Sequence, residues 1–200
     1  MPIAARAVPL LFVCCAAGVH AQDYAAWNKV NLDGSWTRTA EAAVRATTLA
    51  TLVPKDIDTF CPRYASRDAE ERTRFWVGLL SAMAQPESNF KLSTKYVEPD
   101  IRDAHNQNVV SRGLLQISME SANQAAYDCA IKNAQDLHEV DVNLHCAARI
   151  MQHWVRKEGR IAAPSRPVMG AARYWSVLRG AKKHLGAITE FTRKMAVCKP

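Results

Sequence analysis

The sequence predicts a single, mostly α-helical domain. Its 200 residues are 48% hydrophobic and 22% charged, which is typical of one folded domain and excludes a disordered chain. Apolar residues recur at helical spacing in most segments, and no stretch shows the period of two that predicts a half-buried β-strand. We expect an N-terminal arm and helix in residues 22–60 and the main helical domain in residues 61–200.

The first residues have the features of an export signal. Arg6 precedes an apolar run over residues 7–19, and Val19 and Ala21 place small residues where a signal peptidase reads them. The apolar run is too short to span a bilayer, and no later segment has the roughly 18 uninterrupted apolar residues of a membrane helix. We therefore expect cleavage after Ala21 and a periplasmic or secreted protein without stable membrane insertion.

The region before residue 60 is expected to be an irregular arm followed by a helix. Tryptophan and tyrosine stand among turn-forming residues in residues 22–36, which predicts an arm packed on the body. Residues 39–52 are rich in alanine and predict a helix. Pro54 ends this segment because proline has no amide N–H and cannot continue a helix.

The strongest helical pattern covers residues 68–85. Asp68 can cap the N-terminus, with Glu71 three residues later as in a capping box. Phe75, Leu79 and Met83 follow at a spacing of four residues and form one apolar face. Pro86 disfavours the helical conformation of the preceding residue, so we expect the helix to end at Gln85.

The segments after residue 90 show less regular hydrophobic patterns. Residues 91–112 contain Pro99 and mixed charges without a period, which predicts a long loop. Residues 115–130 predict one or two short helices, and residues 162–167 a proline-containing loop. A helix is expected over residues 143–158, followed by Gly159 in a C-terminal capping position. Final helices are expected over residues 171–178 and 185–197.

The cysteines are expected to form disulfides. Removal of the signal leaves Cys61, Cys129, Cys146 and Cys198, an even number in an oxidising compartment. Four cysteines allow three pairings. We favour Cys129–Cys146, which closes a loop, with Cys61–Cys198, which joins the start of the main domain to its end.

The net charge and the spacing of the histidines limit the kinds of partner and metal that the sequence predicts. The net charge of +7 favours an anionic partner, but no helix carries a basic stripe interleaved with exposed aromatic residues, so a nucleic-acid partner is not expected. His138, His145 and His153 are spaced seven and eight residues apart, which is not a zinc-ligand spacing, and no CxxC pair is present. We expect surface histidines and no bound metal.

Glu87 is the clearest candidate for a catalytic residue. It lies at or just past the end of the helix that Pro86 terminates. The negative end of the helix dipole and apolar neighbours both disfavour an ionised carboxylate and raise its pKa. A general acid at neutral pH requires such a raised pKa, although a solvated glutamate after a helix end is the structural alternative.

Two motifs together carry a family resemblance. Residues 87–90 read Glu-Ser-Asn-Phe, and residues 113–118 read Gly-Leu-Leu-Gln-Ile-Ser about one loop later. In this order they resemble the lytic transglycosylase domain of the soluble-transglycosylase type, a relative of goose-type lysozyme. The resemblance extends to Asn143 and Leu144 and covers residues 68–180. It implies a lysozyme-like fold with a groove for peptidoglycan glycan strands.

The resemblance also implies a mechanism. Glu87 would protonate the glycosidic oxygen between N-acetylmuramic acid and N-acetylglucosamine and then deprotonate the muramyl 6-hydroxyl, giving a 1,6-anhydro product without a cofactor. Ser111 would lie near this glutamate as a hydrogen-bond partner. The other residues that the resemblance places in substrate binding are Ser88, Gly113, Leu115 and Gln116. Ser88 and Asn89 have a structural alternative as turn residues, and Leu114 and Ile117 are expected in the core.

One family motif is altered. The family commonly has a Tyr-Asn pair in an alanine-rich helix, and here the pair is Tyr174-Trp175. Tyr174 matches, whereas Trp175 replaces the asparagine. A tryptophan can stack on a sugar ring, but its helical spacing to Leu178 favours a place in the core. Glu190 resembles a late acidic motif of some members only weakly.

Two further functions stay open at this stage. A hydrolytic muramidase needs a second carboxylate opposite Glu87. Glu98, Asp100 and Asp103 lie in the loop that would supply such a group, with Glu98 the preferred candidate, and solvated loop charges are the structural alternative for all three. A non-catalytic peptidoglycan-binding accessory of a secretion apparatus is the other alternative. In each case we expect a monomer acting on peptidoglycan strands.

Overall fold

The computed structural model describes residues 24–180 and 183–199. Within these ranges the chain is mostly helical, with one two-stranded sheet. The α-helices are α1 Ser35–Arg45, α2 Ile57–Phe60, α3 Ala69–Ser88, α4 Met119–Ala122, α5 Val140–Glu158 and α6 His184–Lys194, and the strands are β1 Lys95–Arg102 and β2 Asn108–Arg112. The expected signal peptide and its cleavage site lie outside the described residues.

Helix α3 is the centre of the fold, and its start agrees with the prediction. The Asp68 side chain accepts the Glu71 amide at 2.8 Å, and the Glu71 side chain accepts the Asp68 amide, which completes the capping box. Phe75, Leu79 and Met83 are all fully buried. The predicted apolar face is therefore the face that packs on the core.

The predicted end of α3 at Gln85 is wrong. The helix continues through Pro86 to Ser88 and ends at Asn89, whose φ is 50°. Proline removes one amide donor in this last turn, but the Asn89 amide still donates to the Gln85 carbonyl at 3.0 Å. One missing bond near a helix end costs less than the burial of the turn provides.

The N-terminal arm packs on α3 as predicted. It contains a 3-10 helix, Ala26–Lys29, whose Ala26 amide donates to Ser81 Oγ of α3 at 2.7 Å. The Trp27 side chain is fully buried. Helix α1 is shorter than the predicted helix over residues 39–52: it begins at Ser35 and ends at Arg45. The Thr47 hydroxyl bonds the Val44 carbonyl, and such local side-chain bonds compete with the helix.

The expected loop over residues 91–112 is a β-hairpin, so this prediction is wrong. Strands β1 and β2 are antiparallel, with Val97 opposite Val110 and Arg102 opposite Asn108. The register shifts between these two pairs, in the region that contains Pro99. Proline is tolerated in a strand at such irregularities. Most side chains of β1 are exposed, which explains why no alternating pattern marked the strand.

Two predicted helical regions are mostly turns. In residues 115–130 only α4 is α-helical, because the Asn123 side chain bonds both the amide and the carbonyl of Ile131 and closes a loop. Residues 171–178 form the 3-10 segments Gly170–Arg173 and Ser176–Leu178. Here the Arg179 guanidinium takes the carbonyls of residues 172 and 173, which an α-helix would use internally.

The later helices agree more closely with the sequence. Helix α5 begins at Val140, three residues before the predicted start, and ends at Glu158 as predicted, with Gly159 in the left-handed conformation (φ 67°). Helix α6 is followed by a separate 3-10 segment, Ala196–Cys198. Among the described helices none is long and apolar enough to cross a membrane.

Both predicted disulfides are present. Cys61 is bonded to Cys198 and Cys129 to Cys146. The first joins the end of α2 to the last described residues, and the second joins the loop after α4 to α5. Buried residues of the arm, of α3 and of the C-terminal segments form one continuous hydrophobic core.

Candidate active site

An open cleft of about 870 Å³ runs along one face of the molecule. The β-hairpin forms one wall, through Tyr96 and Ile101 among others. The segment from Arg173 to Arg179 forms a second wall, and the end of α3 contributes Glu87. Residues of the segment 116–124 complete the lining, so the cleft lies where four separate parts of the chain meet.

Glu87 lies in the last turn of α3, partly exposed to this cleft. The pKa of its carboxyl is raised to about 7, mainly by burial and to a smaller extent by the nearby negative charge of Glu98. Among the described residues none donates a hydrogen bond to the Glu87 carboxyl, so nothing offsets the loss of solvation. The raised pKa agrees with the direction that the sequence predicts.

Glu98 of β1 lines the same cleft as Glu87. The hydroxyl of Ser111, on β2, donates to Glu98 Oε1 at 2.9 Å. Ser111 thus bonds the second carboxyl, and the expectation that it bonds Glu87 is wrong. The hairpin explains this, because cross-strand neighbours on one face are within hydrogen-bonding reach.

The other two candidate carboxylates do not line the cleft. Asp100 is exposed on β1. Asp103 accepts the amides of His105 and Gln107, both at 2.8 Å, and so stabilises the turn of the hairpin. Of the three candidates, the structure places Glu98 alone beside Glu87.

The second sequence motif is held in place by Asn143 of α5, whose side chain is fully buried. Asn143 Oδ1 accepts the Leu115 amide at 3.0 Å, and Nδ2 donates to the Leu137 carbonyl at 2.8 Å. Gly113 has a φ of 75°, and a Cβ there would lie 2.1 Å from the Leu137 carbonyl oxygen. Only glycine fits this approach, so the motif and the start of α5 form one unit.

Gln116 and Ser118 are the residues of this motif that line the cleft, and the Gln116 side chain is fixed by hydrogen bonds. Its Nε2 donates to the Gly113 carbonyl at 2.8 Å and to the Thr94 carbonyl at 3.2 Å. Its Oε1 is buried and has no hydrogen-bond partner among the described residues. The orientation of the Gln116 side-chain amide is therefore fixed by its Nε2 bonds, while its oxygen accepts no hydrogen bond from the described residues.

Three predicted substrate-binding residues lie outside the cleft lining. Ser88 is buried, and its hydroxyl donates to the Ala84 carbonyl at 3.1 Å. Gly113 is buried against Leu137, and the Leu115 side chain is fully buried in the core. Ser88 follows Glu87 by about 100° around the helix, which turns it away from the cleft. These residues are part of the framework of the site and do not line the cleft.

Tyr174 and Trp175 lie on the second wall of the cleft, in the segment from Arg173 to Arg179. The Tyr174 hydroxyl is within 2.7 Å of Ser121 Oγ, and burial raises the pKa of this phenol above its usual value. The Trp175 side chain is 2% exposed, and its Nε1 donates to the Leu115 carbonyl at 2.9 Å. The tryptophan is thus mainly a core residue, as the helical spacing favours, and it ties this wall to the second motif.

The sequence did not identify several residues of the cleft. Ser121 is invisible in the sequence because its partner, Tyr174, is 53 residues away. Tyr96 and Ile101 were hidden by the prediction of a loop. Arg173 and Arg179 belong to no motif, and an isolated arginine gives no sequence signal of a cleft position.

The histidines do not form a metal centre. Within residues 24–180 and 183–199, no group of three or more histidine, cysteine, aspartate and glutamate side chains is arranged for a metal ion. His138, His145 and His153 are each partly buried. His138 Nδ1 lies 2.6 Å from the Leu92 carbonyl oxygen. This contact links the segment that precedes α5 to the segment that precedes the hairpin.

The fold and the cleft define a class of mostly helical proteins with three glutamates, Glu87, Glu98 and Glu120, lining one open cleft, and the pKa of Glu87 is raised. No protein-family model and no curated protein matches the chain. Solved structures of Bd0314 DslA do match. The chain is 39% identical to a glutamate-to-glutamine variant of that protein, with a TM-score of 0.81, covering 88% of this chain and 98% of the other.

The wild-type form of the same protein gives similar values: 40% identity, a TM-score of 0.79, and coverage of 86% of this chain and 96% of the other. This chain therefore belongs to the same family as Bd0314 DslA. A second variant also matches. The two variants replace glutamate by glutamine at positions 143 and 154 of that protein's own numbering, eleven positions apart.

Proposed function

We propose that the protein is an exported lytic transglycosylase with a lysozyme-like fold. It cleaves the β-1,4 bond between N-acetylmuramic acid and N-acetylglucosamine in peptidoglycan. The observation that carries the proposal is the Glu87 carboxyl, which faces an open cleft and has a pKa raised to about 7. The motifs around Glu87 and Gln116 support the choice of peptidoglycan as the substrate.

The reaction uses the Glu87 carboxyl twice. With a pKa of about 7, a large fraction of the carboxyl is protonated at neutral pH and donates its proton to the glycosidic oxygen as the bond breaks. The resulting carboxylate then takes the proton of the muramyl 6-hydroxyl, which attacks C1. The glycan ends in a 1,6-anhydro ring, and the glutamate returns to its protonated state without a cofactor.

The cleft suits a polymeric sugar. It is open along the surface, and Tyr96 and Ile101 on the hairpin are more than half exposed. Exposed aromatic and aliphatic side chains can pack on the apolar faces of sugar rings. Gln116 also lines the cleft, with its side-chain amide held by the Gly113 and Thr94 carbonyls.

Export and the partner are supported by simpler features. Two disulfides favour an oxidising compartment outside the cytoplasm. The positive net charge suits a cell wall whose stem peptides carry carboxylates. A cell-wall role in a secretion apparatus would use the same chemistry.

Hydrolysis is the second candidate, and Glu98 is the observation that favours it. An inverting glycosidase has two carboxyl groups roughly 6.5–9.5 Å apart with a water between them. Glu98 lines the same cleft and is oriented by Ser111. The two substituted glutamates in the Bd0314 DslA variants are separated by eleven positions, the same separation as Glu87 and Glu98.

The test is a digestion of purified peptidoglycan in water enriched in heavy oxygen, followed by mass spectrometry of the released fragments. Anhydro fragments without label support the transglycosylase. Labelled reducing ends support the muramidase and reject the primary proposal. If the wild type releases nothing, the non-catalytic binding protein replaces both enzymatic candidates.

Three variants sharpen this test. Glu87→Gln is expected to abolish release under either chemistry, since amide nitrogen cannot donate the required proton. Glu98→Gln separates the two candidates because only hydrolysis needs a second carboxylate to activate water. Glu120→Gln removes an exposed carboxylate that also lines the cleft and is the matched control. Full activity of Glu87→Gln would reject Glu87 as the acid.

A further inference from the structure

Arg179 is a cation on the cleft wall whose orientation is fixed by the protein itself. Its Nε donates to the Ala172 carbonyl at 2.9 Å, and its Nη2 donates to the Arg173 carbonyl at 3.2 Å. The side chain is partly buried and lines the cleft. Since both bonds use backbone acceptors, the guanidinium is held without losing its charge to a carboxylate.

The backbone that carries Arg179 is also rigid. The Ala163 amide donates to the Leu178 carbonyl at 3.1 Å, and the Gly180 amide donates to the Ala163 carbonyl at 2.8 Å. These bonds form a short parallel bridge on either side of Arg179. A binding group on such a fixed element binds a ligand with less loss of conformational freedom than a mobile one.

The charge of Arg179 is not neutralised by the protein. No acidic side chain lies within salt-bridge distance of it in the described part of the chain. Arg173, on the same wall, is paired with Glu158 at 2.7 Å. The other cations of the cleft, Lys95 and Arg102, are exposed on the hairpin. Arg179 therefore combines a fixed position with an uncompensated charge.

We propose that Arg179 binds a carboxylate carried by the muramic acid residue of the substrate. This inference rests on the proposed function. A guanidinium with free N–H groups at Nη1 matches the planar geometry of a carboxylate. In peptidoglycan that carboxylate comes from one of two sources: the lactyl group of peptide-free muramic acid, or the stem peptide that extends from the same lactyl group.

The test compares native substrate with substrate whose carboxylates have been converted to amides by a carbodiimide and ammonium. Cleavage rates are measured for the wild type, for Arg179→Gln and for Arg63→Gln, an exposed arginine far in sequence from the cleft segments that loses the same charge. On native substrate we expect Arg179→Gln to lower kcat/KM about tenfold, the size of one charge-assisted hydrogen bond. Arg63→Gln should match the wild type.

Amidation separates recognition from a structural role. If Arg179 binds a carboxylate, amidation lowers kcat/KM of the wild type about as much as the substitution does, and the difference between wild type and Arg179→Gln shrinks on amidated substrate. An equal loss in Arg179→Gln on native and amidated substrate would overturn the proposal, as would a wild type that cleaves both substrates equally. Neither outcome affects the proposed function, which fails only if the wild type cleaves no substrate.

Two preparations identify the source of the carboxylate. Strands stripped of peptides by an amidase keep the lactyl carboxylate and lose the stem peptide. A dependence on Arg179 that persists with stripped strands assigns the lactyl group, and a dependence that disappears assigns the stem peptide. Arg179→Lys keeps the charge without the planar fork and should recover part of the lost kcat/KM on whichever preparation shows the effect.

Discussion

Replacing Glu87 by glutamine is expected to stabilise the folded protein at alkaline pH and to leave its stability unchanged in acid. The raised pKa means that the folded state binds this proton more tightly than the unfolded state does. Below pH 4.5 both states are protonated, and the carboxyl costs nothing. As pH rises from 4.5 to about 7, the unfolded state releases the proton first, so folding stability falls through that window.

The size of the effect follows from the shift. The pKa of Glu87 rises from 4.5 to about 7, and one pKa unit corresponds to about 1.4 kcal/mol, so the ionised carboxyl costs roughly 3 kcal/mol of folding free energy at pH 8. Glutamine has the same shape and no charge. Because the described residues donate no hydrogen bond to the Glu87 carboxyl, the substitution breaks none there.

The assay is urea unfolding at pH 4 and pH 8 with the disulfides intact. Glu87→Gln should match the wild type at pH 4 and gain roughly 3 kcal/mol at pH 8, or about 6–12 °C in Tm. Glu120→Gln, at the exposed rim of the cleft, is the control and should show no such pH-dependent gain. A Glu87→Gln protein with equal stability differences at both pH values would refute the burial of this carboxyl.

The other predictions concern the framework of the site. Gly113→Ala should destabilise the protein by about 2–5 kcal/mol in thermal unfolding, because a Cβ there meets a backbone carbonyl and φ is positive; a neutral effect would contradict the close approach. Trp175→Phe should cost about 1–3 kcal/mol, since it leaves a buried carbonyl without its donor, and an unchanged Tm would show that the bond contributes nothing. Replacing Cys61 and Cys198 by serine should lower the free energy of unfolding in urea by up to about 5 kcal/mol. This loss should exceed that for Cys129 and Cys146, because the first disulfide closes a loop of 137 residues and the second a loop of 17. A smaller loss for the first pair than for the second would contradict this order.

The sequence predicts the helical body well because its signals are local and strong. The capping box at Asp68 and the buried stripe through Leu79 both appear in α3. The disulfide pairing was also correctly predicted. Cys61 and Cys198 lie at the start and the end of the main domain, and Cys129 and Cys146 are close enough in sequence to close a short loop. In α3 and at the disulfides, the sequence pattern and the contacts in the structure agree.

The sequence failed where distant contacts override local preference. The hairpin carries exposed charges on β1, so it lacks the alternation that marks a half-buried strand. Residues 171–178 look helical, but Arg179 occupies two of the carbonyls that a helix needs. The last turn of α3 includes Pro86 because burial outweighs one lost hydrogen bond.

The candidate site was predicted in part. Glu87, Glu98 and Gln116 lie in one cleft. The family resemblance implied a shared groove for Glu87 and Gln116, and Glu98 was the preferred candidate for a second carboxylate. The partner of Ser111 was wrongly predicted because the hairpin that aligns it with Glu98 was not recognised. Arg179 had no sequence signal, since its position depends on a bridge to Ala163 that no sequence pattern indicates.

The pH dependence of strand cleavage tests the central claim, that Glu87 is a partly buried general acid facing the cleft, most directly. A general acid must be protonated, so kcat/KM of the wild type should fall as pH rises through about 7, the pKa of Glu87. In Glu98→Gln the neighbouring charge is gone, and the same fall should move to lower pH while staying above 4.5, because burial is the larger cause of the shift. A fall that stays at the same pH in Glu98→Gln, or a wild-type rate that does not fall near pH 7, would contradict the account.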